Sequence, residues 1–74
     1  MPDIKYDVQK ELGVLSETSS GWTKELNLIS WNGNTPKYDI RDWSPDGSRM
    51  GKGVGLTEAE ARNLQKLLNE IFKD

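Results

Sequence analysis

An α+β fold, in which a four-stranded antiparallel meander is followed by one C-terminal helix (ββββα), is what this chain of 74 residues predicts. Three observations carry that prediction. Four stretches alternate apolar and polar residues with the period of two that marks half-buried strands. Glycine, asparagine and proline separate those stretches by connections too short for parallel crossovers, so successive strands run antiparallel. A capping signal then opens a run of apolar residues spaced by three and four, the mark of an amphipathic helix. No repeat or linker composition interrupts this order, so residues 1–74 are expected to share one core as a single domain.

The first strand is expected over about residues 6–15, where Tyr6, Val8, Leu12 and Val14 share one parity and Lys10 interrupts it. Ser16-Glu17-Thr18-Ser19-Ser20-Gly21 is small and polar, the composition of a long, mobile hairpin tip. The second strand, about 22–31, resumes the alternation through Leu26 and Leu28, with β-favouring Thr23, Ile29 and Trp31 around them. Asn32-Gly33 tolerates the two positive φ angles of a type I′ turn. Pro36 precedes a third strand at about 37–43, with Tyr38 and Ile40 on one side and Lys37, Asp39, Arg41 and Trp43 on the other. Ser44-Pro45-Asp46-Gly47 puts proline and glycine at the second and fourth positions of a type I turn. In the fourth strand, about 49–56, Gly51, Gly53 and Gly55 leave one face nearly bare of side chains. Thr57-Glu58-Ala59-Glu60 is a capping box, and Ala61, Leu64, Leu67, Leu68, Ile71 and Phe72 form the apolar stripe of a helix over about 58–72.

Composition narrows the function. With 34% hydrophobic residues and no run near the roughly 20 apolar residues of a bilayer span, the chain reads as soluble, without a membrane partner. Met1-Pro2-Asp3-Ile4-Lys5 offers no leader-type apolar segment, so a cytoplasmic location is expected. Without cysteine or histidine there are no disulfides, no thiolate metal site and no imidazole base, and no metal, cofactor or catalytic group is expected. A core this small supplies only about 3–5 kcal/mol, and unstapled scaffolds commonly gain the rest by oligomerising. Leu64, Leu67, Leu68, Ile71 and Phe72 are more apolar surface than one thin sheet covers, which predicts a homodimer formed through the helix. The formal net charge of −2 disfavours a nucleic-acid partner on average, yet residues 21–56 carry five basic against four acidic side chains and all three tryptophans.

If the helix covers one side of the sheet, the other side stays open, and that is where a ligand is expected. Trp31 and Trp43 share that side with Lys37 and Arg41, and aromatic rings beside basic groups stack bases while the cations hold phosphates. Tryptophans in such places also fill interfaces or pack under a sheet edge, and Trp22, with the parity of Leu26 and Leu28, reads as packing. Lys24, Lys37, Arg41, Arg49 and Lys52 come from three strands that a meander brings side by side, although single surface lysines more often serve only solvation. Arg41 is the strongest of these, because its planar fork both stacks and donates bidentately. Gly51-Lys52-Gly53-Val54-Gly55 lacks the GxxxxGK[ST] spacing of a phosphate loop and reads as a bent strand. Asp39 and Asp42 face opposite sides of their strand and form no acid–base pair, so the chain reads as non-enzymatic. Two functions remain: a sequence-tolerant binder of single-stranded DNA, or a protein-interaction module whose exposed tryptophan face is the hot spot.

Lys24-Glu25-Leu26-Asn27-Leu28-Ile29-Ser30-Trp31-Asn32-Gly33, Tyr38-Asp39-Ile40-Arg41-Asp42-Trp43, Pro45-Asp46-Gly47 and Lys52-Gly53-Val54-Gly55-Leu56-Thr57, taken in order, resemble the transcriptional coactivator family called positive cofactor four, and most closely its small bacterial members of the YdbC type. The likeness covers roughly residues 22–72 and rests on a series of short motifs. It implies a curved sheet and helix, a homodimer, and binding of single-stranded DNA or melted duplex, with RNA and the transcription machinery as further partners, in transcription regulation or in repair and replication. It therefore implies a nucleoid-associated protein. By the same resemblance Trp31 stands where a family aromatic stacks on bases, Arg41 matches the arginine of an Asp-Ile-Arg run, and Trp43 matches one of two aromatics ending that strand. Lys52 matches the lysine before the fourth strand's glycine, and Lys24 a basic residue opening the second strand. The chain departs in Asn32, where lysine is common, in a turn after Trp43 two residues shorter, and in lacking a basic N-terminal arm.

Overall fold

Alternation and turn chemistry place β1 (Tyr6–Glu17), β2 (Thr23–Trp31), β3 (Lys37–Trp43) and β4 (Met50–Leu56) in one antiparallel sheet of order β1-β2-β3-β4, followed by α1 (Glu58–Ile71). The computed structural model describes residues 5–73. Residues 1–4, part of the segment read above as lacking a leader, and residue 74 lie outside the described residues. Fold class and element order are those predicted. The Asn32-Gly33 turn has φ angles of 52° and 76°, and Asn34 N–H donates to the Trp31 carbonyl at 2.9 Å, as a type I′ turn requires. At the next reversal Gly47 N–H donates to the Ser44 carbonyl, also at 2.9 Å. The first hairpin differs from expectation: Ser16 and Glu17 still pair with Lys24 and Thr23, and the tip closes where Trp22 N–H donates to Thr18 Oγ1 at 3.1 Å. Thr18 closes its own turn by this side-chain bond, so the ladder outlasts the polar composition.

The even alternation expected of β1 is also corrected. Its 12 residues lie against the nine of β2, and the register shifts at three points, between Val8 and Lys10, Glu11 and Gly13, and Val14 and Ser16. Each shift inserts one unpaired residue, which bends the strand and increases its right-handed twist. Tyr6, Val8, Glu11 and Val14 consequently oppose Trp31, Ile29, Asn27 and Glu25, while Leu12 falls in a bulge. The result is a strongly curved sheet. In a flat one, the eight residue steps of β2 from Thr23, the partner of Trp43, to Trp31, the partner of Tyr6, would separate those rings by roughly 26 Å. Here the ring centroids are 5.9 Å apart.

That curvature decides which side is the interior. Asn27, Ile29, Asp39 and Trp43 all lie on the face that carries Arg41, and all are buried. The face expected to be open is therefore the concave one, closed on itself. The helix explains little of this burial. Its start is well built: Thr57 Oγ1 accepts from Glu60 N–H at 3.2 Å, and Glu60 Oε1 accepts from Thr57 N–H at 2.8 Å. The backbone bond from Thr57, above all, holds the Glu60 carboxyl below its ordinary pKa. Only Ala61 is partly covered, near Tyr38 of β3; the helix then leaves the sheet, with Leu67 63%, Ile71 67% and Phe72 75% exposed.

Candidate nucleic-acid interface

Residues two apart on a strand share a face, so Asp39 and Arg41 meet. Asp39 is fully buried opposite Asn27, and both its oxygens accept from Arg41, from Nε at 2.6 Å and from Nη2 at 2.8 Å. Arg41 Nη1 reaches the Gly51 carbonyl and the Met50 sulfur, each at 3.4 Å. This fork holds the guanidinium carbon 4.6 Å from the centre of the Trp31 ring, a cation–π distance. Glycine in β4 makes the arrangement sterically feasible. A Cβ on Gly53 would lie 2.6 Å from the Ile40 carbonyl oxygen and collide with Arg41. The bare face of β4 is thus the space that the Arg41 side chain occupies.

Around this stack the predicted site residues divide. Trp31 is half-buried and lines a hollow of about 270 Å³ with Asn34, Thr35 and Lys37. Lys37 is exposed and shares the concave face, its stem beside Gly55. Arg49 and Lys52 are exposed at the far end of β3: the Arg49 guanidinium lies 5.9 Å from the Trp22 ring, and Lys52 belongs to the bulge opposite Asp42. Lys24 is exposed opposite Asp42 and Ser16, on the other face of the sheet, and does not join them. Trp43 is only 6% exposed, and its Nε1 has no hydrogen-bond partner among the described residues. Its ring packs against Tyr6 instead of facing solvent.

Two contributors escaped sequence reasoning. Tyr6 approaches Trp31 at 5.4 Å as well as Trp43, joining three aromatics from three strands. Glu11 and Glu25 line a second hollow, about 220 Å³, with Tyr6, Val8, Asn27 and Trp43. The bulges of β1 hid Glu11, which the register shifts bring to the face that simple alternation gives to Leu12, and curvature hid Tyr6, which keeps the parity of Val8 but meets Trp43 only because the sheet bends. The Asp39–Arg41 pair, by contrast, had a signal: opposite charges at i and i+2 of a strand whose neighbour on that face is glycine.

The arrangement offers a polarised aromatic ring at a hollow with an exposed lysine, which suits a flat ligand attached to an anion. Comparison with known proteins agrees with the fold and motifs. A protein of Treponema pallidum (strain Nichols), described as uncharacterized, is 54% identical over 72 residues, which cover 97% of this chain and 85% of that protein. The pattern of the Transcriptional Coactivator p15 (PC4) family matches residues 18–67, from the first hairpin tip through β4 into the helix. With more than half of the chain matched in sequence, and with four antiparallel strands and a helix in that order, the chain belongs to the Transcriptional Coactivator p15 (PC4) family.

Proposed function

We propose that the protein is a homodimeric, sequence-tolerant binder of single-stranded DNA, in which bases stack at Trp31 and exposed cations, Lys37 first, meet the phosphates. Membership of a coactivator family of nucleic-acid binders supports the class of function. The observation that carries the site is the Trp31 ring, half-exposed at a hollow beside Lys37 and backed by a guanidinium. Arg49 and Lys52 extend the cationic surface along the β3–β4 end, whereas Lys24, on the opposite face, is assigned to a neighbouring stretch of strand or to solvation. Trp43 is assigned to the floor of the concave face. A role in transcription regulation, or in repair or replication, and with it a place at the nucleoid, is part of the proposal, supported by membership of a coactivator family. Residues 1–74 act in this reading as one domain.

Dimerisation belongs to the same proposal. Leu64, Leu67, Leu68, Ile71 and Phe72 are exposed on one helix, and the only buried apolar side chains among the described residues are Ile29 and Trp43. So thin an interior supports the need for a second copy. The test is a fluorescence titration of the intact protein with oligo-dT, oligo-U and matched duplex, repeated with Trp31→Ala. Stacking contributes about 1–3 kcal/mol per base, so the variant should bind oligo-dT roughly 5- to 150-fold more weakly while keeping its fold. Unchanged affinity in a folded variant would refute the site.

A further inference from the structure

We infer that Asp39 and Arg41 are positioning residues of the strand-binding site: their ion pair holds the guanidinium against Trp31 and fixes the ring on which bases stack. This inference rests on the single-strand reading above. An arginine on a sheet face invites assignment as a phosphate contact, but the geometry speaks against it. Nε and one proton of Nη2 are committed to Asp39, Nη1 is directed at Gly51 and Met50, and the Arg41 side chain is only 15% exposed. A phosphate drawing the guanidinium outward would strand a carboxylate with no solvent access, and uncompensated buried charge is strongly unfavourable. The pair is formally neutral, so it adds no attraction for a polyanion.

What the pair does supply is order. The bidentate fork fixes the plane of the guanidinium, as a lysine ammonium does not. Trp31 is held in turn by that cation at 4.6 Å and by the Tyr6 ring, tilted 40° to it at 5.4 Å, instead of sampling rotamers that binding would have to restrict. Gly53 completes the device, since any side chain there would displace Arg41. Asp39, Arg41, Trp31 and Gly53 therefore form one unit drawn from three strands, with a single residue of it meeting the ligand.

The test is a double-mutant cycle on the full-length protein, with Arg41→Lys and Trp31→Ala singly and together, titrated with oligo-dT and with an abasic oligonucleotide of equal length. Thermal melts establish that each variant is folded. Arg41→Lys keeps the charge and loses the fork, and it should weaken oligo-dT binding by about tenfold in the wild-type background. In the Trp31→Ala background it should change nothing, because its effect passes through the ring. Abasic binding, which has no stacking to lose, should stay constant throughout. Equal losses in both backgrounds, a loss on the abasic strand, or no loss at all would overturn the inference. If Arg41→Lys fails to fold, Asp39→Asn, which keeps one acceptor for the guanidinium and loses the bidentate ion pair, is held to the same dependence on the ring: a loss on oligo-dT relative to the abasic strand in the wild-type background and none in the Trp31→Ala background. Wild-type protein that binds neither oligonucleotide would instead refute the single-strand reading itself, and this inference with it.

Discussion

Asp46 shows how single residues set the stability of this protein. Its Oδ1 accepts from Ser44 Oγ at 2.7 Å, Ser48 N–H at 3.0 Å and Ser48 Oγ at 2.8 Å, so one carboxylate organises the whole β3–β4 tip. The Ser48 backbone bond, followed by those from the Ser44 and Ser48 side chains, lowers its pKa from the usual 3.8 to about 2. A depressed carboxylate pKa means that the stabilisation is complete above about pH 4 and is lost as pH falls through 2. An NMR titration should find the Asp46 midpoint near 2, with Ser48 amide protection lost over the same range. Asp46→Asn should make the tip's stability independent of pH there. The tryptophans separate at the same scale. Trp43, buried against Tyr6, should cost about 3–5 kcal/mol of stability when replaced by alanine, whereas half-exposed Trp31 should cost mainly affinity. Urea denaturation of the two variants, where Trp43→Ala proved as stable as wild type, would place that ring outside the core. Sequence parity had put both rings on one face, and it was right. Parity carries no information about curvature, which is what buries one ring and exposes the other.

At the scale of elements, what was legible followed from local chemistry. Asn32-Gly33, Ser44-Pro45-Asp46-Gly47 and Thr57-Glu58-Ala59-Glu60 each name a backbone geometry, and each one is present. β1 was read least well because bulges have no short-range signature in it: Gln9, Leu12 and Leu15 are ordinary strand residues that become unpaired only through the register with β2. The helix was read correctly as an amphipathic element and incorrectly as the cover of the sheet. It rests only on β3, around Tyr38, and on the adjoining β4, and its stripe runs on into solvent. That stripe has a testable consequence. Leu67 and Ile71 contribute nothing to the interior of one protomer, so Leu67→Glu with Ile71→Glu should leave the strands intact. Sedimentation should then give a dimer for the wild type and 8.4 kDa for the double variant. A wild type that sediments at 8.4 kDa at micromolar concentration would remove the helix as a dimer interface.

For the molecule as a whole, the balance of charge bears on which form of DNA is bound. The chain carries a net charge of −2, and the concave face adds Glu11 and Glu25 beside its aromatics, so general electrostatic attraction for DNA is weak. A purely cationic surface would prefer duplex, which presents the higher density of phosphate. Here the cations are few and separated: Lys37 at one end of β3, Arg49 and Lys52 at the other, and Arg41 neutralised between them. In the proposed function, affinity then comes largely from the aromatic ring at Trp31, and a ring stacks only on a base whose face is free. Paired duplex denies such faces except at its ends, bubbles and mismatches. Single strands should therefore outcompete duplex of equal length for the protein, measured with labelled oligo-dT at fixed salt. If about four phosphates are neutralised per bound unit, log affinity should fall against log salt with a slope of about −3, from roughly −0.7 per phosphate on single strands. A steeper slope together with equal or stronger competition by duplex would mean that phosphates, not bases, hold the complex. Stacking at Trp31 would then be excluded as the source of selectivity, even where binding to DNA persisted.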